Sequence, residues 1–97
     1  MSNNLFTPTL SKSAIKAISM MASRVSFTPR GDAFITMPNG YGVEVFWDKL
    51  DDGFTVSLFG PDLEENGPGL EFWNTLGESC DEYEVLGLCG KVAGRNF

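Results

Sequence analysis

The acidic segment 62–67 has the ligand spacing of a calcium-binding loop, because oxygen-bearing side chains stand at its first, third and fifth positions and a glycine at its sixth. A calcium loop of this kind also needs a bidentate carboxylate at its twelfth position. Here that position is Trp73, and Pro68 follows the glycine. We therefore expect residues 60–69 to form an acidic surface loop without a metal ion.

The two cysteines, Cys80 and Cys89, match neither the Cys-x-x-Cys spacing of redox sites nor a zinc-ligand pattern. The chain contains no histidine, so no imidazole is present to activate either thiol as a nucleophile. If the two residues lay opposite each other on neighbouring strands, they would be able to form a disulfide. The sequence shows no export signal, which favours free thiols.

No other pattern in the chain indicates a reaction. Carboxylates are abundant and a pair of them can catalyse acid–base chemistry, but a solvated acidic face produces the same composition. The glycines Gly87, Gly90 and Gly94 lack the spacing of a phosphate-binding loop. We expect no enzymatic activity, no cofactor and no metal.

The charges divide the chain into two unequal parts. Residues 1–31 contain four basic residues and no acid, whereas residues 32–97 contain all 13 acids, and the net charge is -6. Between Glu44 and Glu84, Lys49 is the one basic residue. Such a surface repels phosphate backbones, which argues against direct nucleic-acid binding, and it attracts basic protein surfaces. Solubility alone is the alternative explanation for the acidity.

Length and hydropathy bound the fold class. The chain has 97 residues, of which 42% are hydrophobic, which is enough for one domain, 1–97, with one core. No apolar run reaches the ~20 residues of a membrane-spanning helix, and no signal peptide is evident. We expect a soluble protein in the bacterial cytoplasm, without a membrane partner.

Helical periodicity marks the first element. After a loose lead-in over 1–8, apolar residues recur every three or four positions, and Thr9 or Ser11 is suited to cap a helix. The pattern predicts an amphipathic helix over 10–25 that ends at the segment 28–31.

The period then changes to two, which is typical of strands. Alternation predicts strands over 33–37, 41–48 and 54–59, joined by Asn-Gly and Asp-Gly turns, with Gly53 suited to a positive φ. Residues 70–76 fit either a strand or two helical turns, with a slight preference for the strand, and residues 83–92 fit a last strand notched by glycines. The sequence thus predicts an α+β fold: one N-terminal amphipathic helix packed on an antiparallel sheet of about four or five strands, over 32–92.

Aromatic residues are interleaved with the acids of this sheet. Alternation places Phe46 on the opposite face of the sheet from Val45, and Phe59 on the opposite face from Leu58. A helix that covers one face therefore leaves aromatic residues on the other, beside Glu44 and Asp48. An exposed aromatic among carboxylates is typical of a docking site for an arginine-rich partner. The same face would also suit a dimer interface.

This profile of a small acidic domain without a catalytic motif, with 12 acids between Glu44 and Glu84, resembles that of bacteriophage anti-CRISPR proteins. The resemblance implies a cytoplasmic inhibitor that occupies the basic nucleic-acid groove of a CRISPR–Cas effector as a mimic of nucleic-acid charge. The basic N-terminal part departs from a pure mimic and leaves shape-specific docking open as the mechanism.

We therefore expect a non-enzymatic inhibitory binding protein, monomeric or homodimeric, that docks on a basic surface. The expected partner-binding residues are Glu44, Phe46, Asp48, Asp51, Asp52, Asp62, Glu64 and Glu65. The alternative is a small structural or assembly subunit, such as a virion or tail component, that associates with itself through a sheet face.

Overall fold

The computed structural model describes residues 10–29, 31–61 and 69–95. Within these ranges the order of elements is α1 (Lys12–Met21), β1 (Arg24–Phe27), β2 (Ala33–Thr36), β3 (Gly42–Asp48), β4 (Gly53–Pro61), β5 (Leu70–Cys80) and α2 (Glu82–Ala93). The five strands form one antiparallel sheet in the order β1-β2-β3-β4-β5. The α+β class and the antiparallel sheet are confirmed. The expectation of a single N-terminal helix was wrong, because a second helix follows β5.

Helix α1 begins where its cap predicts and ends earlier than its apolar pattern suggests. The Ser11 hydroxyl accepts a hydrogen bond from the backbone N–H of Ala14 at 3.2 Å, as an N-cap does. The helix ends at Met21, although residues up to 25 were expected to be helical. The reason is that Arg24–Phe27 pairs with β2, so Val25 lies in a strand opposite Ile35.

The segment predicted to end the helix is instead the turn of the β1–β2 hairpin. The Thr28 N–H donates to the Asp32 carbonyl at 2.9 Å, and Gly31 adopts a φ of 93°. In the β3–β4 turn the expected positive φ falls on Asp52, at 51°, and not on Gly53. Gly53 serves close packing, because a Cβ there would lie 2.6 Å from the backbone of Ser79 on β5.

The C-terminal part differs most from expectation. Strand β5 confirms the preference for a strand at 70–76 and extends to Cys80, but residues 83–92 belong to helix α2. A reciprocal capping box starts that helix, because the Asp81 carboxylate accepts from the Glu84 N–H at 2.9 Å and the Glu84 carboxylate from the Asp81 N–H at 3.0 Å. The sheet therefore spans 24–80 and not 32–92.

Both helices pack on the same face of the sheet, which we call the helix face. Cross-strand pairs such as Val43 with Leu58 and Val45 with Val56 point toward the helices. They form one core with buried residues of both helices, namely Ala14, Ile18, Val85, Cys89 and Val92. At the edge of this core the Trp73 indole lies flat over Gly60, where a Cβ would collide with it.

Candidate protein-docking surfaces

The second face of the sheet, which neither described helix covers, carries a row of phenylalanines. The register pairs Gly42 with Phe59 and Phe59 with Phe72, while Phe34 stands opposite Glu44. Directly paired residues of a sheet share a face. We call this surface the aromatic face, and its members are Phe34, Glu44, Phe46, Asp48, Phe59, Leu70 and Phe72.

Ring contacts hold the row together. The Phe34 and Phe59 ring centroids are 5.2 Å apart and the Phe59 and Phe72 centroids 5.8 Å, and both pairs have the edge-to-face geometry that aromatic rings prefer. Leu70 belongs to the same surface, since its Cδ1 lies 3.0 Å from the position a Cβ would take on Gly42. The last ring of the row is the most exposed, because Phe72 keeps 55% of its surface accessible.

The structure places three of the expected partner-binding residues on this face. Glu44, Phe46 and Asp48 follow one another on β3 at every second position, and each is partly buried. Phe46 stands opposite Thr55, which is 6% exposed. Among the described residues the Thr55 hydroxyl has no hydrogen-bond partner. The aromatic face thus contains a buried polar group that the described part of the chain leaves unsatisfied.

Asp51 and Asp52 lie at one end of the sheet, together with acids that sequence reasoning did not single out. In an antiparallel meander the β3–β4 turn and the end of β5 lie at the same end, and Phe54 pairs with Cys80. The Ser79 hydroxyl fastens the two segments by donating to the Asp51 carbonyl at 3.0 Å. We call this surface the acidic end, and it comprises residues 48–52 and 78–84.

The acidic end carries seven carboxylates and two exposed apolar side chains. The carboxylates are those of Asp48, Asp51, Asp52, Glu78, Asp81, Glu82 and Glu84. Leu50 is 95% exposed and Tyr83 is 84% exposed, so both side chains are accessible to solvent within the acidic end. Large apolar side chains at such exposure are characteristic of interaction surfaces.

Some of these acids also serve the fold. The Glu82 carboxylate accepts hydrogen bonds from the Ser11 N–H at 2.6 Å and from the Ser11 hydroxyl at 2.9 Å, and so binds the start of α1. A carboxylate at a helix N-terminus is favourable because it meets unpaired N–H groups and the positive end of the helix dipole. One basic residue, Lys49, lies within the acidic end, and Lys91 is the next basic residue along the chain after it.

The remaining expected residues, Asp62, Glu64 and Glu65, lie outside the described residues. The strand ends that flank their segment can be placed. Pro61 pairs with Leu70 at one end of β4, whereas Gly53, next to Asp52, starts that strand at the other end. At about 3.4 Å per residue, the nine residues of β4 separate the two ends by roughly 27 Å.

The two thiols do not form a reactive pair. Both cysteines are buried and free, and they lie on different types of element, Cys80 ending β5 and Cys89 within α2. Burial raises the pKa of the Cys89 thiol to about 11. Burial, followed by the carboxylates of Glu84 and Asp81, raises the pKa of Cys80. Both thiols stay protonated at neutral pH, and a protonated thiol is a poor nucleophile and metal ligand.

In the described ranges, no three Asp, Glu or Cys side chains are arranged to hold a metal ion, and neither helix has the length and apolar character needed to cross a membrane. The calcium-like segment 62–67 lies outside those ranges. Comparisons with protein-family models, with curated proteins and with solved structures found no match to this chain.

Proposed function

We propose that this chain is a non-enzymatic binding protein that docks its acidic end on a basic surface of another protein. The observation that carries the proposal is the grouping of seven carboxylates around Leu50 and Tyr83 at one end of the sheet. Carboxylates attract a cationic partner over a distance and increase the rate of encounter. The two apolar side chains then supply contact area that a charged surface by itself lacks.

The arrangement favours a protein partner over a nucleic acid. Phosphate groups approaching the acidic end would meet like charges, whereas arginine side chains can bind carboxylates in a bidentate manner and stack on the Tyr83 ring. Within this class of partner we propose the nucleic-acid groove of a CRISPR–Cas effector, because the charge profile of the chain resembles that of anti-CRISPR proteins. The protein would then inhibit by competing with nucleic acid for that groove.

A competition experiment tests this proposal. A purified guide-loaded CRISPR–Cas effector is mixed with fluorescent target DNA, and displacement of the DNA by the protein is followed by anisotropy at several salt concentrations. The test variant, Asp51→Asn with Glu78→Gln, neutralises two carboxylates of the acidic end. The matched control, Glu44→Gln with Glu71→Gln, removes the same charge elsewhere, on the aromatic face and at the opposite end of β5.

We expect the wild-type protein to displace DNA, the test variant to be at least about tenfold weaker with a flatter salt dependence, and the control to act like the wild type. If no effector loses its DNA, the CRISPR–Cas proposal is wrong. If both variants weaken displacement equally, the acidic end is not the docking surface.

The aromatic face favours a second candidate, a structural subunit that associates with itself. Its phenylalanine row crosses β2, β4 and β5, and Phe72 is more than half exposed. Light scattering over a range of protein concentrations separates the two candidates. The subunit proposal is supported by a stable higher oligomer that Phe72→Ser dissociates and that Met20→Ser on α1 leaves intact. A monomer or dimer at all concentrations supports the binding protein.

A further inference from the structure

A groove runs between strand β5 and helix α2, next to the core. Glu84, Gly87, Leu88 and Lys91 form one helical stripe that faces Leu76, Gly77 and Glu78 of β5 around a cavity of about 360 Å³. The groove continues past Leu88 into a hollow of about 180 Å³ that ends at Arg95. Its volume falls within the range of small ligand and peptide sites.

Two glycines keep this groove open. A Cβ on Gly87 would meet no atom within 4 Å, so the helix has room for a side chain at the point where it has none. On the strand, a Cβ at Gly77 would lie 3.0 Å from the Leu88 Cδ1. The absence of a side chain at Gly77 therefore lets Leu88 pack against the backbone of β5. The floor of the groove is therefore apolar, with Leu76 and Leu88 as its largest side chains.

Strand β5 forms one edge of the sheet. It pairs with β4 on one side, and within the described residues no strand pairs with its other side. An edge strand of 11 residues presents a row of backbone N–H and C=O groups that an extended peptide can join as a further strand. The groove lies along this strand, so alternate side chains of an added strand would reach it.

Charge gives the groove a direction. Glu78 and Glu84 stand at the end where β5 finishes and α2 begins, whereas Lys91 and Arg95 stand toward the other end of the helix. The Arg95 guanidinium is placed there by the Tyr41 ring, whose centroid lies 5.2 Å from the Arg95 Cζ. A strand antiparallel to β5 would begin beside Glu78 and Glu84 and finish beside Lys91 and Arg95.

We propose that this groove binds an extended peptide segment that adds to β5 as an antiparallel strand. The segment carries a basic residue in its N-terminal half, facing Glu78 and Glu84, and an apolar side chain that rests between Leu76 and Leu88. An acidic residue or a C-terminal carboxylate then faces Lys91 and Arg95. The groove shares Glu78 and Glu84 with the acidic end, but its apolar floor and the free edge of β5 belong to neither that surface nor the aromatic face. The proposal therefore does not depend on the function proposed for those surfaces.

The test uses a defined probe, the peptide Lys-Thr-Leu-Thr-Val-Thr-Glu with a free carboxylate, and its reversed sequence as the charge control. The Lys, Leu and Glu of the probe stand at alternate positions and therefore share one face of the added strand. Binding to the full chain is measured by calorimetry for the wild type, Gly87→Leu and Gly90→Leu. Both substitutions replace a helical glycine whose Cβ meets nothing within 4 Å, so both are expected to raise the melting temperature through higher helix propensity. Gly87→Leu fills the groove, whereas Gly90 does not line it.

We expect the probe to bind the wild type and Gly90→Leu equally, Gly87→Leu to weaken binding about tenfold or more, and the reversed peptide to bind about tenfold more weakly than the probe. A probe that fails to bind the wild type, or that binds Gly87→Leu as tightly, overturns the proposal. If the chain dimerises and Gly87→Leu abolishes the dimer, a second copy occupies the groove and the peptide proposal is wrong.

Discussion

The two faces of the five-stranded sheet differ in how deeply their side chains are buried. On the helix face, Ile35, Val43 and Val56 are fully buried under two helices. On the aromatic face, partly exposed phenylalanines lie beside Glu44, and the buried Thr55 hydroxyl has no hydrogen-bond partner in the part of the chain that the structure describes. Within the described residues, the main core therefore lies on the helix face. We expect that face to contribute most of the stability, and we propose that the aromatic face and the acidic end serve recognition.

Removing one large side chain from each face tests whether the two faces contribute differently to stability. Ile35→Ala leaves a cavity in the fully buried helix face, so we expect it to lower the free energy of unfolding by about 3–4 kcal/mol. Phe72→Ala removes a half-exposed ring and one edge-to-face contact, so we expect a loss of about 1 kcal/mol. Urea unfolding measures both, and equal losses would show that the two faces contribute alike.

A smaller effect concerns the pH dependence of the helix face. The Cys89 thiol has a pKa raised to about 11 by burial, whereas an unfolded cysteine titrates near ~8.5. Because the unfolded chain loses this proton first, the stability from the buried thiol is complete below ~8.5 and is lost as the pH rises toward 11. We expect the free energy of unfolding to fall by about 3 kcal/mol across this window.

The variant Cys89→Ala is the control for that measurement. Its stability is lower at neutral pH because it leaves a small cavity, but it should show a flatter decline between pH 8 and 11 than the wild type. Identical pH profiles for the two proteins would mean that Cys89 ionises as easily in the folded chain as in the unfolded one.

The smallest effect concerns the aromatic face and should be a gain. Thr55→Val replaces the unpartnered hydroxyl by a methyl group of similar size, and removing an unsatisfied buried polar group is expected to stabilise the fold by about 1 kcal/mol. The matched control is Thr75→Val, at an exposed position on β5, where we expect little change. A loss of stability in Thr55→Val would show that the hydroxyl has a role in the folded protein.

Local signals located β2, β3, β4 and the start of α1, because period-two alternation and the Ser11 cap act over a few residues. They did not predict β1, because Val25 continues the apolar spacing of α1. They missed α2, whose capping box Asp81–Glu84 and the spacing of Val85, Cys89 and Val92 were obscured by Gly87 and Gly90. Those glycines are tolerated because both stand on exposed sides of the helix.

The acidic end was only partly predictable. Asp51 and Asp52 were recognised as turn acids, but Glu78, Asp81 and Glu84 join them only when β5 runs to Cys80 and returns the chain to that end. That junction depends on strand order, which a linear pattern does not contain. Leu50 and Tyr83 carry no sequence signal of their own, because exposure is a property of the folded surface.

An NMR titration tests whether the carboxylates of the acidic end act as one binding surface. A ¹⁵N-labelled sample is titrated with an arginine nonapeptide as a generic basic probe, and amide shift changes are mapped on the chain. We expect saturable changes concentrated at residues 48–52 and 78–84, with at least about tenfold weaker binding in Asp51→Asn with Glu78→Gln. Changes that spread evenly over the surface, or that centre on Glu44 and the aromatic face, would contradict it.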